Sequence, residues 1–432
     1  MKKTIGIIFV FAAIIGGSFA FGNGLNLNGL GSRAISMGGA FVGLADDFSA
    51  LFWNPAGLGF QKSRILSFNI LDVVPSATYR RSAGSVDLVN AESPTKHYLG
   101  GLGGYIQPID DSLVAGIGIY SSAGLGSAWN SSDLAYYSGG RTDIDWSTRV
   151  GLFTFAPTLA YRINDSLSVG VQLNIHYGFF NMNTYAGQVS QAPGSVVDLG
   201  LYEESLSGWG LGASIGALYK PSDRLSFGFT YRTASTVKFS GQAMISTLSY
   251  LGYSGTSDME RPVTWPSWLA FGAAVQPLDG LTVTADVQYT DWKSVGVLDS
   301  TYTDSFWATM MAMNGKNRMD LSWESRVQVR VGAEYRLNPD WTVRAGYYND
   351  PSPAPDRTIN ILIPSFDYNG LTLGFGRTVG GIQIDFGLEM LFGKKRIIDF
   401  VQIQTVPPPT TPMLGTYTMT ILVPHLSVSH RF

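Results

Sequence analysis

His425, Ser427 and Ser429 stand at alternate positions near the C-terminal end, a base beside hydroxyls and the first arrangement in this chain that invites a reaction. On an extended strand they share one face, as in an outer-membrane phospholipase using His425 and Ser427. Such a pair needs a third group to orient the imidazole and donors for an oxyanion, and no Asn or Asp follows at suitable spacing. With four His, no Cys and no clustered acidic motif, metal catalysis lacks ligands, and no cofactor is expected. The glycines around Gly100 to Gly104 lack the strand–turn–helix setting of a phosphate loop. The remaining chemistry is cationic. Arg330, Arg336 and Arg344 share one face of neighbouring extended segments. They either meet a substrate carboxylate or brace their surroundings by pairing with Glu334 and Glu389.

The elements that carry these residues are amphipathic strands. Leu167, Val169, Val171, Leu173, Ile175, Tyr177 and Phe179 take one parity; Ser168, Gly170, Gln172, Asn174, His176 and Gly178 take the other. A period of two means an extended strand with one apolar and one polar face. Soluble strands usually stop after ~5–6 residues, whereas a tilted membrane-crossing strand needs ~9–11. Fourteen such segments are expected, at 64–74, 97–107, 112–121, 149–163, 166–179, 209–219, 224–235, 267–277, 280–292, 325–337, 340–348, 370–379, 381–392 and 417–432. Six connections are tight and built from Pro, Asn, Asp and Gly: 108–111, 164–165, 221–224, 277–280, 338–340 and 379–381. The others are long and polar, and the two kinds alternate. Short periplasmic turns, long extracellular loops and an even count describe an all-β, antiparallel transmembrane β-barrel. Charge on a lipid face costs ~2–4 kcal/mol at mid-membrane, so the charged parity lines the lumen.

Composition agrees. Charged residues are 14% of the chain, under the ~25% of soluble domains. Mean hydropathy is only +0.10, too low for a helical membrane protein but natural where half of each strand is polar. A net charge of −3 offers no footprint for nucleic acid. Residues 1–20 read as an export signal: Lys2 and Lys3, an apolar stretch from Ile5 to Ile15, and Ser18-Phe19-Ala20 before the cut. The terminal Phe432 on an amphipathic strand looks like the mark read by outer-membrane assembly machinery.

Residues 21–63 have no period of two and too many glycines for a ladder, among them Gly38 and Gly39. Their apolar residues Phe41, Phe48, Leu51, Phe52 and Trp53 argue against a solvated tail. A plug inside the lumen of a barrel formed by residues 64–432 is expected. Here Gly29-Leu30-Gly31-Ser32-Arg33-Ala34, Met37-Gly38-Gly39-Ala40, Ala45-Asp46-Asp47 and Asn54-Pro55-Ala56-Gly57-Leu58 resemble the N-terminal hatch of the FadL/TodX-type outer-membrane transporters of long-chain fatty acids and hydrophobic compounds. The likeness continues through Trp265-Pro266-Ser267-Trp268, Tyr289-Thr290-Asp291-Trp292, Trp341 to Gly346, and Asp350 to Pro364.

The resemblance implies a fourteen-stranded barrel, a hydrophobic small-molecule substrate, and passage by loop capture, hatch movement and lateral exit through the wall. It assigns the hatch gate to Gly38, Gly39, Asp46, Asp47, Asn54, Pro55 and Ala56. The Asn-Pro-Ala segment reads equally as a rigid turn into the first strand. The family's wall gap comes from a kink in its third strand, which maps to Ser121, Ser122, Ala123, Gly124 and Gly126. Those residues are either that kink or the start of an outer loop. Leu199 to Leu206 reads as a short helix in an outer loop. The expected partners are the substrate, outer-membrane lipids and the assembly machinery, the barrel acting as a monomer in the outer membrane of a diderm bacterium. A general diffusion porin is the rival reading, but it gives no reason for a plug; an adhesin or purely structural barrel is a third.

Overall fold

In the computed structural model, which describes residues 24–192, 195–399 and 413–432, the alternating segments become the staves of a closed barrel. The signal segment expected at residues 1–20 lies outside the described residues. The strands are β1 (Ile65–Ala83), β2 (Val86–Glu92 continued by Tyr98–Pro108), β3 (Leu113–Trp129), β4 (Trp146–Arg162), β5 (Leu167–Tyr185), β6 (Leu201–Ser222) and β7 (Leu225–Arg232 continued by Ser235–Met244). There follow β8 (Thr256–Trp265 continued by Trp268–Leu278), β9 (Leu281–Thr290), β10 (Arg326–Arg336), β11 (Trp341–Asp350), β12 (Tyr368–Val379), β13 (Ile382–Gly393) and β14 (Gly415–Arg431). Each pairs antiparallel with its neighbours in sequence. β14 closes the ring on β1, from Ile65 opposite Arg431 to Arg80 opposite Thr416. The wall is the fourteen-stranded antiparallel barrel expected from the alternation.

The facing is also as the alternation requires. On β5, Ser168, Gln172, Asn174 and His176 are buried inside, while Val171 and Leu173 are 55% and 47% exposed on the lipid side. All six tight turns lie at one end, here the inner end. Their polar residues close the backbone. Asn164 Oδ1 accepts from the Ser166 and Leu167 amides (both 2.9 Å), and Asn338 Oδ1 from those of Asp340 and Trp341 (3.0 and 2.9 Å). Asp110 Oδ1 accepts from the amides of Ser112 and Leu113 (both 2.8 Å), which hold its carboxyl below the usual range.

At the other, outer end several strands outrun the expected segments. β1 and β2 form a hairpin turning at Gly84, whose φ is +59°. Ser235–Met244 and Thr256–Trp265 pair with each other above the membrane segment. Leu199 to Leu206 is not a helix: β6 begins at Leu201 and pairs with β5 up to Tyr185. In the sequence the alternation is weak there because the inward face, buried at Tyr202, Glu204 and Leu206, includes a charge, while Glu203, Ser205 and Ser207 on the other face are polar. The outer loops add a helix, α3 (Ser305–Met313), capped by Asp304, which accepts from the Trp307 amide at 3.0 Å.

The segment from residue 24 to 63 runs inside this wall. It carries α1 (Ser32–Ser36), α2 (Ala50–Trp53) and a 3₁₀ turn (Pro55–Phe60). Nearly every residue from Leu27 to Leu58 is buried. A ring of inward glycines makes the room. A Cβ on Gly332 would stand 2.2 Å from the Met37 carbonyl, one on Gly228 2.0 Å from that of Val42, and one on Gly346 2.1 Å from the Gly38 amide. The wall is locally side-chain-free where the plug backbone passes.

Candidate functional site

Hydrogen bonds to the wall fix the plug from end to end. Ser32 donates its amide to Ser427 Oγ (2.9 Å), and Asn69 on β1 holds the Gly31 amide (3.2 Å). Gly38 and Gly39 take φ of +68° and +65°, a turn that only glycine makes freely. The Gly38 amide donates to Thr372 (3.0 Å), and its carbonyl accepts from Arg330 (3.0 Å). Asp286 on β9 accepts from the amides of Phe41 (2.9 Å) and Val42 (3.0 Å).

Asn54, Pro55 and Ala56 sit between β5 and β6. The Asn54 amide donates to the carbonyls of Val42 (3.0 Å) and Ala217 (3.1 Å), and its oxygen caps the 3₁₀ turn at the Ala56 amide (3.1 Å). Gly216 and Gly170 supply the slot: a Cβ there would stand 2.1 Å from Asn54 and 2.4 Å from Pro55. The segment is thus a tie between plug and wall as well as a turn.

At the inner end a chain of charges crosses from plug to barrel. Arg33 pairs with Asp46 and with Glu334 on β10 (2.7 Å), and Asp47 lies 3.7 Å away. Glu334 also takes Arg344 of β11 (2.6 Å), which takes Asp385 of β13 (2.8 Å). Burial works against the Arg33 charge, but Asp46 and Glu334 outweigh it and hold its pKa above the ordinary value. Burial pushes the Asp47 carboxyl up, against the pull of Arg33. These charges line a polar vestibule of about 780 Å³ open at the turn end. Of the three arginines considered as carboxylate contacts, Arg344 is engaged in this chain and Arg336 stands exposed on the vestibule rim. Arg330 is buried higher up, 4.5 Å from the Tyr348 ring. They do not converge on one point.

The third strand breaks the pattern of the wall. Through Tyr120 its residues alternate inside and outside; from Tyr120 to Ser127 every residue is buried on both parities. Its ladder to β2 ends at the Leu102–Tyr120 pair, while its ladder to β4 continues to Trp129 with a bulge between Ser121 and Ala123. The strand therefore bends into the lumen and parts from β2. The plug fills that edge. Asn26 bridges Ala123, and the Gly124 amide donates to the Leu25 carbonyl at 2.9 Å. Ser121 still reaches back to the Gly101 amide (3.3 Å), and Ser122 turns in to meet Thr154 (2.8 Å). Gly126 lies opposite Arg149 of β4, in the part of β3 without a β2 partner.

Above the plug the lumen changes character. The inward face of β14 runs Ser429, Ser427, His425 at the inner end and Val423, Ile421, Met419, Tyr417 beyond. Val237, Phe239, Met259, Val263 and Trp265 continue this apolar lining, closed over by Trp292, Trp307, Met311 and Trp323 of the outer loops. Between lining and plug lies a small cavity bounded by Asn28, Phe52, Trp268, Ser122 and two guanidiniums, Arg330 and Arg232. Sequence reasoning passed over Arg232, although it shares the inward parity of Ser226, Gly228 and Thr230 within a segment already assigned as strand.

His425 and Ser427 are not hydrogen-bonded to each other. Ser427 binds Ser32 and Asn69 and so anchors the plug; His425 Nε2 lies 3.9 Å from Glu389.

Both the sequence and the fold have known relatives. The chain is 22% identical over 429 residues to the long-chain fatty acid transport protein of Escherichia coli, covering 86% of this chain and 87% of that one. Its fold matches a Pseudomonas aeruginosa FadL homologue with a TM-score of 0.78 at 18% identity, over 95% of this chain and 100% of the other. It matches the Pseudomonas putida toluene transporter TodX with a TM-score of 0.72 at 19% identity, over 95% and 100%. The model of the outer membrane protein transport protein family (OMPP1/FadL/TodX) covers residues 13–432, and the chain belongs to that family.

Proposed function

We propose that the protein carries hydrophobic molecules, long-chain fatty acids or similar lipids and hydrocarbons, across the outer membrane. The outer loops take the solute from the polar cell surface, the apolar outer lumen holds it, and movement of the plug releases it sideways between β2 and β3. An apolar solute gains little from an aqueous pore, so a route from an apolar chamber into the bilayer suits it better than the polar vestibule below. The observation that carries this reading is the seam. The only backbone contacts on the freed edge of β3, among the described residues, come from Leu25 and Asn26 of the plug. A plug shift therefore opens the wall without breaking a strand ladder. The Asn54-Pro55-Ala56 tie and the Asp46/Asp47 pairing with Arg33 are the joints on which that shift turns.

Uptake of a radiolabelled long-chain fatty acid by cells whose only such porter is this protein tests the route. Deleting Ser122 removes the bulge and lets β3 run straight beside β2. Uptake should fall to background while the barrel still shows heat-modifiable migration. Undiminished uptake through the straightened strand would dismiss lateral exit.

A further inference from the structure

Independently of the route that solute takes, we infer that the outer mouth of the β2–β3 seam binds a phosphorylated glycolipid of the outer leaflet. The site begins with a break in β2. Val86–Glu92 and Tyr98–Pro108 both pair with β1, but residues 93–97 leave the strand beside Val74 to Ala77. The break carries Lys96 and His97, both exposed. Across the inward bend of β3, β4 presents Arg149, also exposed, opposite Gly126. The two flanks are close, since the Arg149 charge is felt at the Tyr98 hydroxyl of β2. A crevice lined by Ser93, Pro94, Tyr98, Gly126 and Trp129 runs between them.

Register places these cations at one depth. On β1 and β14 the lipid-facing residues are apolar through Val74 and Leu422 and polar from Ser76 and Thr420. On β4 and β5 they are apolar through Phe153 and Phe179 and polar from Arg149 and Asn181. Lys96, His97 and Arg149 therefore stand at the outer limit of the apolar belt, where the phosphates of lipid headgroups lie. Arg149 lies over the Phe179 ring at 5.7 Å, and neither it nor Lys96 forms an ion pair among the described residues. Glu92 is exposed farther out, opposite Thr78.

Asp72 fixes the break from inside the belt. It takes a lipid-facing position between Ile70 and Val74, where an ionisable group is costly and marks a function. Its Oδ2 lies 2.7 Å from His97 Nδ1, while its Oδ1 is buried without a partner. The pair pins His97, and with it Lys96, at the edge of the belt. Asp72 is thus a positioning residue, turned to His97 and seated below the phosphate level.

Charge and depth together select the occupant. Around the seam Ile70, Leu99, Ile117 and Phe155 expose apolar side chains to the bilayer, so an anion held here gains by carrying acyl chains that cover them. A free phosphate has no use for that surface, and a protein partner would meet it only inside the membrane. A glycolipid of the outer leaflet supplies both phosphate and chains. Bound between Lys96 and Arg149, its headgroup bridges β2 to β4 over the bent strand.

Native mass spectrometry of protein in non-ionic detergent, titrated with bis-phosphorylated lipid A and with its dephosphorylated form, tests the site. Wild type should bind the phosphorylated lipid about tenfold more tightly. Lys96→Gln with Arg149→Gln should abolish that preference and leave binding of the dephosphorylated lipid unchanged; Asp72→Asn should lower it part way. Lys238→Gln with Lys293→Gln, which removes two exposed cations elsewhere on the barrel, should keep it. Equal affinity of the wild type for both lipids would overturn the inference, a ratio that decides the matter even if the Lys96 and Arg149 variant fails to fold. An equal loss in the Lys238 and Lys293 control would also overturn it, by making the attraction one of general charge. Displacement of the lipid by millimolar inorganic phosphate would leave an anion site and remove the glycolipid.

Discussion

β14 passes through two different lumens. Near its inner end it presents Ser427 to the plug and pairs Ser429 with Ser67 of β1; farther outward it presents Val423, Ile421 and Met419 to an apolar cluster. The inner half is held by directional contacts: glycine slots, side chains on plug amides, and the relay from Arg33 to Asp385. The outer half is held mainly by packing of aromatics and branched side chains, around one buried ion pair between Arg261 and Glu204. Directional contacts fix one position and fail together when one is broken, whereas an apolar lining tolerates many shapes. The proposed gate draws on the first property, and the proposed holding of varied hydrophobic solutes draws on the second.

Four changes would break or sharpen that contrast. The largest effect is expected from deleting residues 22–56: a barrel silent in a planar bilayer should conduct ions steadily, and unchanged conductance would remove the plug. Next, Glu334→Gln leaves Arg33 and Arg344 facing each other without their shared carboxylate, destabilising plug seating by about 3 kcal/mol. Faster hydrogen exchange of the plug amides, with brief current openings, would register it. In the outer half, Phe239→Ala should weaken binding of hydrophobic ligands about tenfold and leave conductance silent. An effect on conductance there would mean that the two halves are not separable.

The smallest effect concerns Asp47. Because burial raises its pKa, its charge disfavours the seated plug above that pKa, and the penalty fades as pH falls through it. Asp47→Asn should therefore firm the plug at neutral pH by less than about 1 kcal/mol and flatten the dependence between neutrality and the acid range. Amide exchange measured across that range reads both.

The wall was legible because lipid imposes alternation: Leu173 and Val171 had no other place to go. Three of the six turns were legible because Asp110, Asn164 and Asn338 close them with their own side chains, and two more because Gly280, Gly380 and Gly381 supply the positive φ of a tight turn. The outer extensions were not, since Arg80 to Ala83 or Glu203 to Ser207 meet no lipid and carry no period. The small residues from Ser121 to Gly126 marked a break in β3. That the edge they free is taken up by Leu25 and Asn26 depends on a contact distant in the chain. Arg344 and Glu334 were visible as partners, but Arg33 completes the relay only through the plug's path. Arg232 was open to discovery by parity alone, but its place beside the plug depends on the plug's path, which a sequence does not display.

Because the chain has no cysteine, one crosslink can test the central claim cleanly. Antiparallel partners sit ~4.5–5.5 Å apart at Cα, within disulfide reach, so Asn26→Cys with Ala123→Cys should lock plug to seam. Fatty acid uptake should fall at least about tenfold when the pair is oxidised and return on reduction. Uptake that proceeds at the wild-type rate through the locked protein would contradict release of solute past this edge of β3.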